Sequence, residues 1–208
     1  MVISVSSDPA CHAPVAPDIS LVRDGISRSI DIFVSSAAIL FLAPLMLVVA
    51  AAIHLLDGGP VLSGQTRVGK DGRTYRCWRF RSASLPHPAA ARWQNVRPEQ
   101  GERTPLGALL RQLGVDELPQ LLNILNGDMS LVGPRPVKAE DADRYGRYLA
   151  EYCSVRPGLT GLWQVSPLSA MSRRRQVAVD ITYIRSKSLG LDLRILFLIL
   201  SRPLVSVA

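Results

Sequence analysis

One stretch of this chain is almost wholly apolar, while elsewhere apolar and polar positions alternate. Between Asp31 and Asp57 lie 25 residues without a formally charged side chain, IFVSSAAILFLAPLMLVVAAAIHLL. About 20 apolar residues suffice for a helix to cross a bilayer, so length and apolarity point to a membrane rather than a soluble core. The run begins too late, behind a polar N-terminal stretch, to be a signal peptide. Pro44 sits mid-run, where it removes a helical hydrogen bond and kinks or breaks the helix. Each half then holds about a dozen residues, roughly 18 Å of helix against about 30 Å of hydrocarbon. Basic residues flank both ends: Arg23 and Arg28 before, then Arg67, Lys70, Arg73, Arg76, Arg79 and Arg81 after. The positive-inside rule puts both flanks in the cytoplasm. On this pattern a re-entrant helix-break-helix and a kinked single span both stay open.

Outside that run the periodicity predicts small elements. Residues 1–22 read as a loose tail. Residues 61–82 read as a hairpin, with Lys70-Asp71-Gly72 as turn chemistry between two short strands. Its arginines can meet lipid headgroups or phosphate, and a solvated basic face accounts for most of them. Ser84 to Arg103, rich in Pro, Ala, Gln and Glu, reads as a surface loop. Thr104-Pro105 is a cap followed by proline at the first helical position. Leu106, Leu109, Leu110 and Leu113 give that helix an apolar face, and Gly114 interrupts it. A second helix is expected from Asp116, with Pro119 in its first turn. Leu118, Leu121, Leu122 and Leu125 repeat at helical spacing, and Gly127 stops it. Residues 141–152 and 173–187 read as further helices. The C-terminal LDLRILFLILSRPL is too short to cross a bilayer, and either lies along the interface or closes the core.

Composition narrows the partners. The 208 residues carry a net charge of +7 and are 48% hydrophobic, which suits an anionic membrane face, phosphorylated substrates or nucleic acid. Only 6% are aromatic and no RNP-like or zinc-finger spacing occurs, so no nucleic acid is expected. Cys11, Cys77 and Cys153 are far apart with no CxxC pair, which favours reduced thiols over a disulfide framework or zinc site.

The chemistry concentrates in LRQLGVDELPQLLNILNGDMSLVGPRPV, residues 110–137. Asp116 and Glu117 are adjacent carboxylates at an expected helix start, where unpaired N–H groups and the dipole keep a carboxylate ionised and favour phosphate. An ionised Asp116 can attack phosphorus, and magnesium at Asp116 and Glu117 would neutralise a pyrophosphate. An Asp in front of a leucine-striped helix is usually only a cap, so the neighbours decide. Arg111 lies five residues ahead. Arg135 stands between two prolines that restrict its backbone and lower the entropy lost on gripping phosphate. The pattern recurs at Arg156-Pro157-Gly158, where an ordinary salt-bridged arginine is an equal alternative. Asp128 reads as a brace for its turn. Trp163 and Gln164 reach a base or sugar, or else Trp163 is core. His12, His54 and His87 are assigned nothing.

These residues resemble a known family. LGVDELPQLLNILNGDMSLVGPRP followed by VRPGLTGLWQVS is similar to the bacterial sugar transferases, the monotopic phosphoglycosyl transferases of polyprenol-phosphate pathways. The likeness runs from Arg28 to Leu200. It includes Asp31, Pro44, Gly59-Pro60-Val61, Gln65-Thr66-Arg67-Val68-Gly69 and Trp78-Arg79-Phe80-Arg81. It implies transfer of a sugar-1-phosphate from a UDP-sugar to undecaprenyl phosphate, releasing UMP through a phosphosugar on Asp116, as a first step of exopolysaccharide, capsule or O-antigen synthesis. Glu117 is implied as dyad partner, Arg111 and Arg135 as phosphate-handling residues, and Mg2+ as cofactor. The resemblance also decides the membrane segment in favour of the re-entrant form.

The expected fold is therefore α+β and mostly helical. Residues 23–57 form a re-entrant membrane helix broken at Pro44, and 58–208 a catalytic domain with a small β-hairpin and interfacial C-terminal helices. That domain is expected on the cytoplasmic face of the bacterial inner membrane, among its lipids; a homodimer is one assembly left open. Ala43 replaces the serine common before Pro44, Arg81-Ser82-Ala83 replaces Arg-Thr-Met, and Ser166–Met171 departs from the usual Gly-Arg. Two alternatives follow from a different chemistry or none: a glycosyltransferase that releases UDP, or a catalytically weak scaffold of a polysaccharide assembly complex.

Overall fold

The apolar run is long enough to form one continuous helical element, and it does. In the computed structural model, which describes residues 18–83, 104–165 and 172–201, helix α1 spans Asp18–Ala52 and continues as a π-helical turn over Ile53–Asp57. Pro44 lies inside α1 rather than between two helices, so the expected helix-break-helix is corrected to a single helical element. A proline deletes one backbone donor and crowds one carbonyl, and the bonds on either side can still close.

After Asp57 the polar, β-branched sequence takes over. Strands β1 (Leu62–Val68) and β2 (Thr74–Phe80) pair antiparallel, with Leu62 opposite Phe80 and Val68 opposite Thr74. The turn uses the expected Lys70-Asp71-Gly72, and Asp71 adopts a left-handed φ of 58°. Helix α2 (Pro105–Gln112) has Thr104 as its cap: the Thr104 hydroxyl accepts the Gly107 N–H at 2.9 Å and donates to Asp57 Oδ2 at 2.9 Å. A single 3₁₀ turn, Val115–Glu117, precedes α3 (Gln120–Asn126), which ends at left-handed Gly127.

The remaining elements close the body. Strand β3 (Ser130–Val132) pairs parallel with β5 (Gly158–Thr160). Strand β4 (Val137–Lys138) adds to β1, giving the order β2-β1-β4. A 3₁₀ segment, Ala139–Tyr148, leads into α4 (Leu149–Cys153), where one helix was expected. Helices α5 (Leu162–Val165), α6 (Arg173–Ser186) and α7 (Leu189–Leu200) complete the chain. The expected tail 1–22 is corrected at its end, because Asp18 to Val22 already belong to α1; residues 1–17, the loop 84–103, the departure at 166–171, and Cys11, His12 and His87 lie outside the described residues.

The core positions both ends of α1 on the same body. Near its start, Arg28 donates to the Ile124 carbonyl and, at 2.7 Å, to that of Leu125, capping the end of α3. Asp31 Oδ1 accepts the Leu131 N–H at 2.9 Å and the Ser130 hydroxyl at 3.1 Å. At the far end, Val49 and Ile53 pack with Phe80 and Leu110, each contributing about 1.5–3 kcal/mol by burial. Arg81 donates to the Gly58 carbonyl. Between these anchors α1 bares a large apolar face: Leu40 is 80% and Phe41 83% exposed, with Leu47, Val48, Leu55 and Leu56 alongside. On α7, Ile195 is buried while Leu193 and Phe197 are exposed, so that helix both closes the core and presents an apolar outer face.

Candidate active site

Strand alternation builds the floor of a cavity among the described residues. Ser63, Gln65 and Arg67 of β1, with Cys77 and Arg79 of β2, face one side of the hairpin and line a cavity of about 480 Å³. Arg67 and Arg79 therefore do not belong to a solvated basic face. The cavity continues past Arg111, Asp116 and Arg135 to Lys138, Asp141, Arg144 and Tyr145. Cations outnumber acids on this wall, which suits a ligand with more than one negative charge.

Asp116 is almost wholly buried, at 2% exposure. Gly114 makes this possible by turning the chain left-handed (φ 68°) just before the 3₁₀ turn that carries the dyad. The expectation that Asp116 caps a helix is corrected: it lies within the turn, makes no capping bond, and α3 starts at Gln120. Burial raises its pKa, opposed by Arg79 and Arg111 and reinforced by Glu117.

Arg79 joins the two carboxylates. Its Nη2 lies 2.6 Å from Glu117 Oε1 and its Nη1 3.6 Å from Asp116 Oδ2. Asn123, buried on α3, holds the strand that carries it. The Asn123 Oδ1 accepts the Trp78 N–H at 3.0 Å, and Nδ2 donates to the Arg76 carbonyl at 2.7 Å. The side-chain amide thus extends the ladder at the free edge of β2. Nδ2 also lies 3.2 Å from Asp128 Oδ2, consistent with Asp128 as a brace. The expected leucine stripe of α3 is only partly the buried face. Leu121 is buried with Gln120, Asn123 and Ile124, whereas Leu122 is 40% exposed.

Arg135 reaches the cavity from the loop between β3 and β4. Its guanidinium lies 4.8 Å above the Trp163 ring, so Trp163 serves as a platform for the arginine. Burial lowers its pKa, as do Arg67 and Arg79, which face the same space. Arg67 is itself held by the Pro136 carbonyl and by Gln65 Oε1, the latter at 2.6 Å. Arg111, in the last turn of α2, completes the set and faces solvent.

Arg156 is not brought to the cavity. Its Nε donates to the Gly127 carbonyl at 3.0 Å, where it helps close the end of α3. The glycine behind it explains the repeat. A Cβ on Gly158 would sit 2.1 Å from the Gly133 nitrogen, and one on Gly133 would sit 2.5 Å from the Gly158 nitrogen. The two arginine–proline motifs pack backbone to backbone, and only Arg135 faces the cavity.

Among the described residues, no group of three or more His, Cys, Asp or Glu comes together to hold a metal. The dyad is nonetheless suited to magnesium that arrives with its substrate, since Mg2+ takes one or two carboxylates and fills its other positions with phosphate oxygens and water. Sequence reasoning missed Arg79, Asn123 and Asp180 as site residues. Each makes its contact across 38 to 45 positions, so no local spacing marks it.

Known proteins are similar to this chain in sequence. The family model described as bacterial sugar transferase matches residues 22–205. The exopolysaccharide production protein ExoY of Rhizobium meliloti (strain 1021) is 39% identical over 184 residues, covering 82% of this chain and 81% of that one. An undecaprenyl-phosphate galactose phosphotransferase of Salmonella typhimurium is 35% identical over 186 residues, 83% of this chain and 39% of the relative. A UDP-glucose:undecaprenyl-phosphate glucose-1-phosphate transferase of Escherichia coli (strain K12) is 32% identical over 209 residues, 94% of this chain and 44% of the relative. With the match covering nearly its whole length, the chain belongs to the bacterial sugar transferase family and is a transferase enzyme.

Proposed function

We propose that the protein moves a sugar-1-phosphate from a UDP-sugar to undecaprenyl phosphate, releasing UMP, in two displacements on Asp116. In the first, an Asp116 carboxylate oxygen bonds to the phosphorus that bears the sugar. The bond from that phosphorus to the bridging oxygen breaks, and UMP leaves with the oxygen. In the second, an oxygen of the lipid phosphate attacks the same phosphorus, the Asp116 oxygen leaves, and the lipid carries a pyrophosphate-linked sugar. Arg67, Arg111 and Arg135 hold phosphate oxygens. Arg79 keeps Glu117 beside Asp116, and Glu117 assists proton transfer or ion placement. Magnesium, when bound, would be held by Asp116 and Glu117 with phosphate oxygens and would neutralise the pyrophosphate.

The observation that carries this reading is a buried carboxylate on the wall of a cavity lined by arginines. The names of the relatives supply the donor and acceptor, and the exopolysaccharide relative supplies the pathway class.

The re-entrant topology, with the catalytic body on the cytoplasmic face of the bacterial inner membrane, draws support from α1. A helix tied at Arg28 and Asp31 and again at Asp57 and Gly58 to one body is at odds with ends on opposite sides of a bilayer. Its exposed apolar face exceeds what water tolerates at low cost.

The decisive experiment incubates the purified protein with Mg2+, UDP-sugars and undecaprenyl phosphate and identifies the nucleotide released. UMP, with a phosphosugar on Asp116 by mass spectrometry, supports the reading. UDP in its place, or turnover kept in Asp116→Asn, refutes it.

A further inference from the structure

Asp180 is a carboxylate of α6 with 1% exposure, yet it lies outside the cavity lining. Its two oxygens hold two different parts of the site. Oδ1 accepts the backbone N–H of Arg135 at 3.2 Å, and Oδ2 accepts the Tyr145 hydroxyl at 2.7 Å. Tyr145 lines the cavity. On the other side of Arg135, the Tyr152 hydroxyl lies 3.2 Å from the Arg135 carbonyl and accepts the Val137 N–H at 3.2 Å. The two tyrosine rings pack with centroids 4.7 Å apart. Arg135 is thus clamped at both backbone polar groups, between two prolines, above Trp163.

We propose that Asp180 is the positioning residue of the phosphate-gripping arginine: its ionised carboxylate fixes the loop from which Arg135 enters the cavity and turns Tyr145 toward the same ligand. This rests on the assignment of Arg135 to donor phosphate made above. A carboxylate accepts from two donors at once without a proton of its own. A carboxylic acid carries a hydrogen on one oxygen, which the Tyr145 hydroxyl meets only by reversing its own.

The charged and titratable groups facing Asp180 are Arg135 from the loop, Tyr145 from the 3₁₀ segment and Tyr152 from α4. Burial pushes Asp180 up to about 6, against the pull of the Tyr145 and Arg135 bonds. Both tyrosines are pushed far above their ordinary range by burial and stay neutral. The loop is therefore held above pH 6 and loosened below it.

Two measurements test this. In steady-state assays, Asp180→Ala is expected to raise the KM for UDP-sugar about tenfold with a smaller change in kcat, since displaced positioning groups weaken binding. Asp180→Asn keeps an acceptor for the Arg135 N–H but meets the Tyr145 hydroxyl with a donor, as the protonated acid does, so its KM is expected to stay at the wild type's low-pH level and no longer to change as pH falls through 6. An unchanged KM in the alanine variant, or a wild-type pH profile in the asparagine variant, overturns the proposal. The second measurement needs no turnover. In a Trp78→Phe, Trp93→Phe background, Trp163 emission is expected to titrate near pH 6 and to stop doing so when Asp180→Asn is added. Emission that is flat with Asp180 present, or unaltered by its replacement, also overturns it. Failure to release UMP sinks the proposed reaction, while the emission titration still judges Asp180.

Discussion

Two loops of this protein carry nearly the same words, Gly133-Pro134-Arg135-Pro136 and Arg156-Pro157-Gly158, and put their arginines to different uses. They touch through their glycines, so each is part of the other's support. Arg135 extends over Trp163 into the cavity, whereas Arg156 turns to the Gly127 carbonyl at the end of α3. A proline-stiffened arginine is equally good equipment for gripping a phosphate or a helix end. Which one it meets depends on what packs beneath the backbone. Under Arg135 lie Asp180 and Tyr152; beside Arg156 lie the last carbonyls of α3, which Arg28 shares.

The reference point for separating the two arginines is the proposed nucleophile. Asp116→Asn is expected to lower kcat by about 10³-fold or more, the range seen when a covalent nucleophile is removed, measured as UMP released per folded molecule. Against that floor, Arg135→Ala is expected to cost about 10²-fold in kcat/KM, comparable to losing one charge-stabilising donor, with the thermal midpoint nearly unchanged. Arg156→Ala should invert this pattern. Turnover per folded molecule should stay within about threefold, while stability to denaturant falls by about 1–3 kcal/mol as a half-buried carbonyl loses its charged donor. If Arg156→Ala proves the more damaging to catalysis, the division between the loops is wrong.

The smallest effect concerns pH and stability. Asp180 has its pKa raised from 3.8 to about 6 on folding, so the folded state holds a proton that the unfolded chain has released. The contribution is fully present below pH 3.8 and is lost as pH rises through 6. Between pH 4 and 6.5 the wild-type thermal midpoint should fall relative to that of Asp180→Asn. For Asp116, whose pKa burial raises, the same direction has a catalytic consequence: attack needs the ionised form, so kcat should decline at a pH above the ordinary carboxylate range.

Much of this plan was written in local sequence. The Thr104 cap, the Lys70–Gly72 turn, the Gly127 stop and the long apolar helix are each produced by residues within a few positions of one another. The dyad itself was legible because Asp116 and Glu117 are neighbours. What escaped is the support. Arg79 on β2 finds Glu117 in a turn 38 positions downstream, Asn123 completes the edge of β2, and Asp180 reaches a loop 45 positions upstream. Leu122, placed inside by its spacing, is exposed because α3 is short and its buried face includes Gln120 and Asn123. Pro44 removes one donor, and α1 runs on through it.

Because α1 is fastened to the catalytic body at both ends, the proposed membrane placement would make the elevation of Asp116 above the lipid plane a property of the protein and not of the bilayer. Acceptors whose phosphates ride at other heights, or bilayers of other thickness, present the same chemistry at a different distance. In the proposed placement the anchor would act as a gauge, setting the altitude at which a lipid phosphate can meet Asp116.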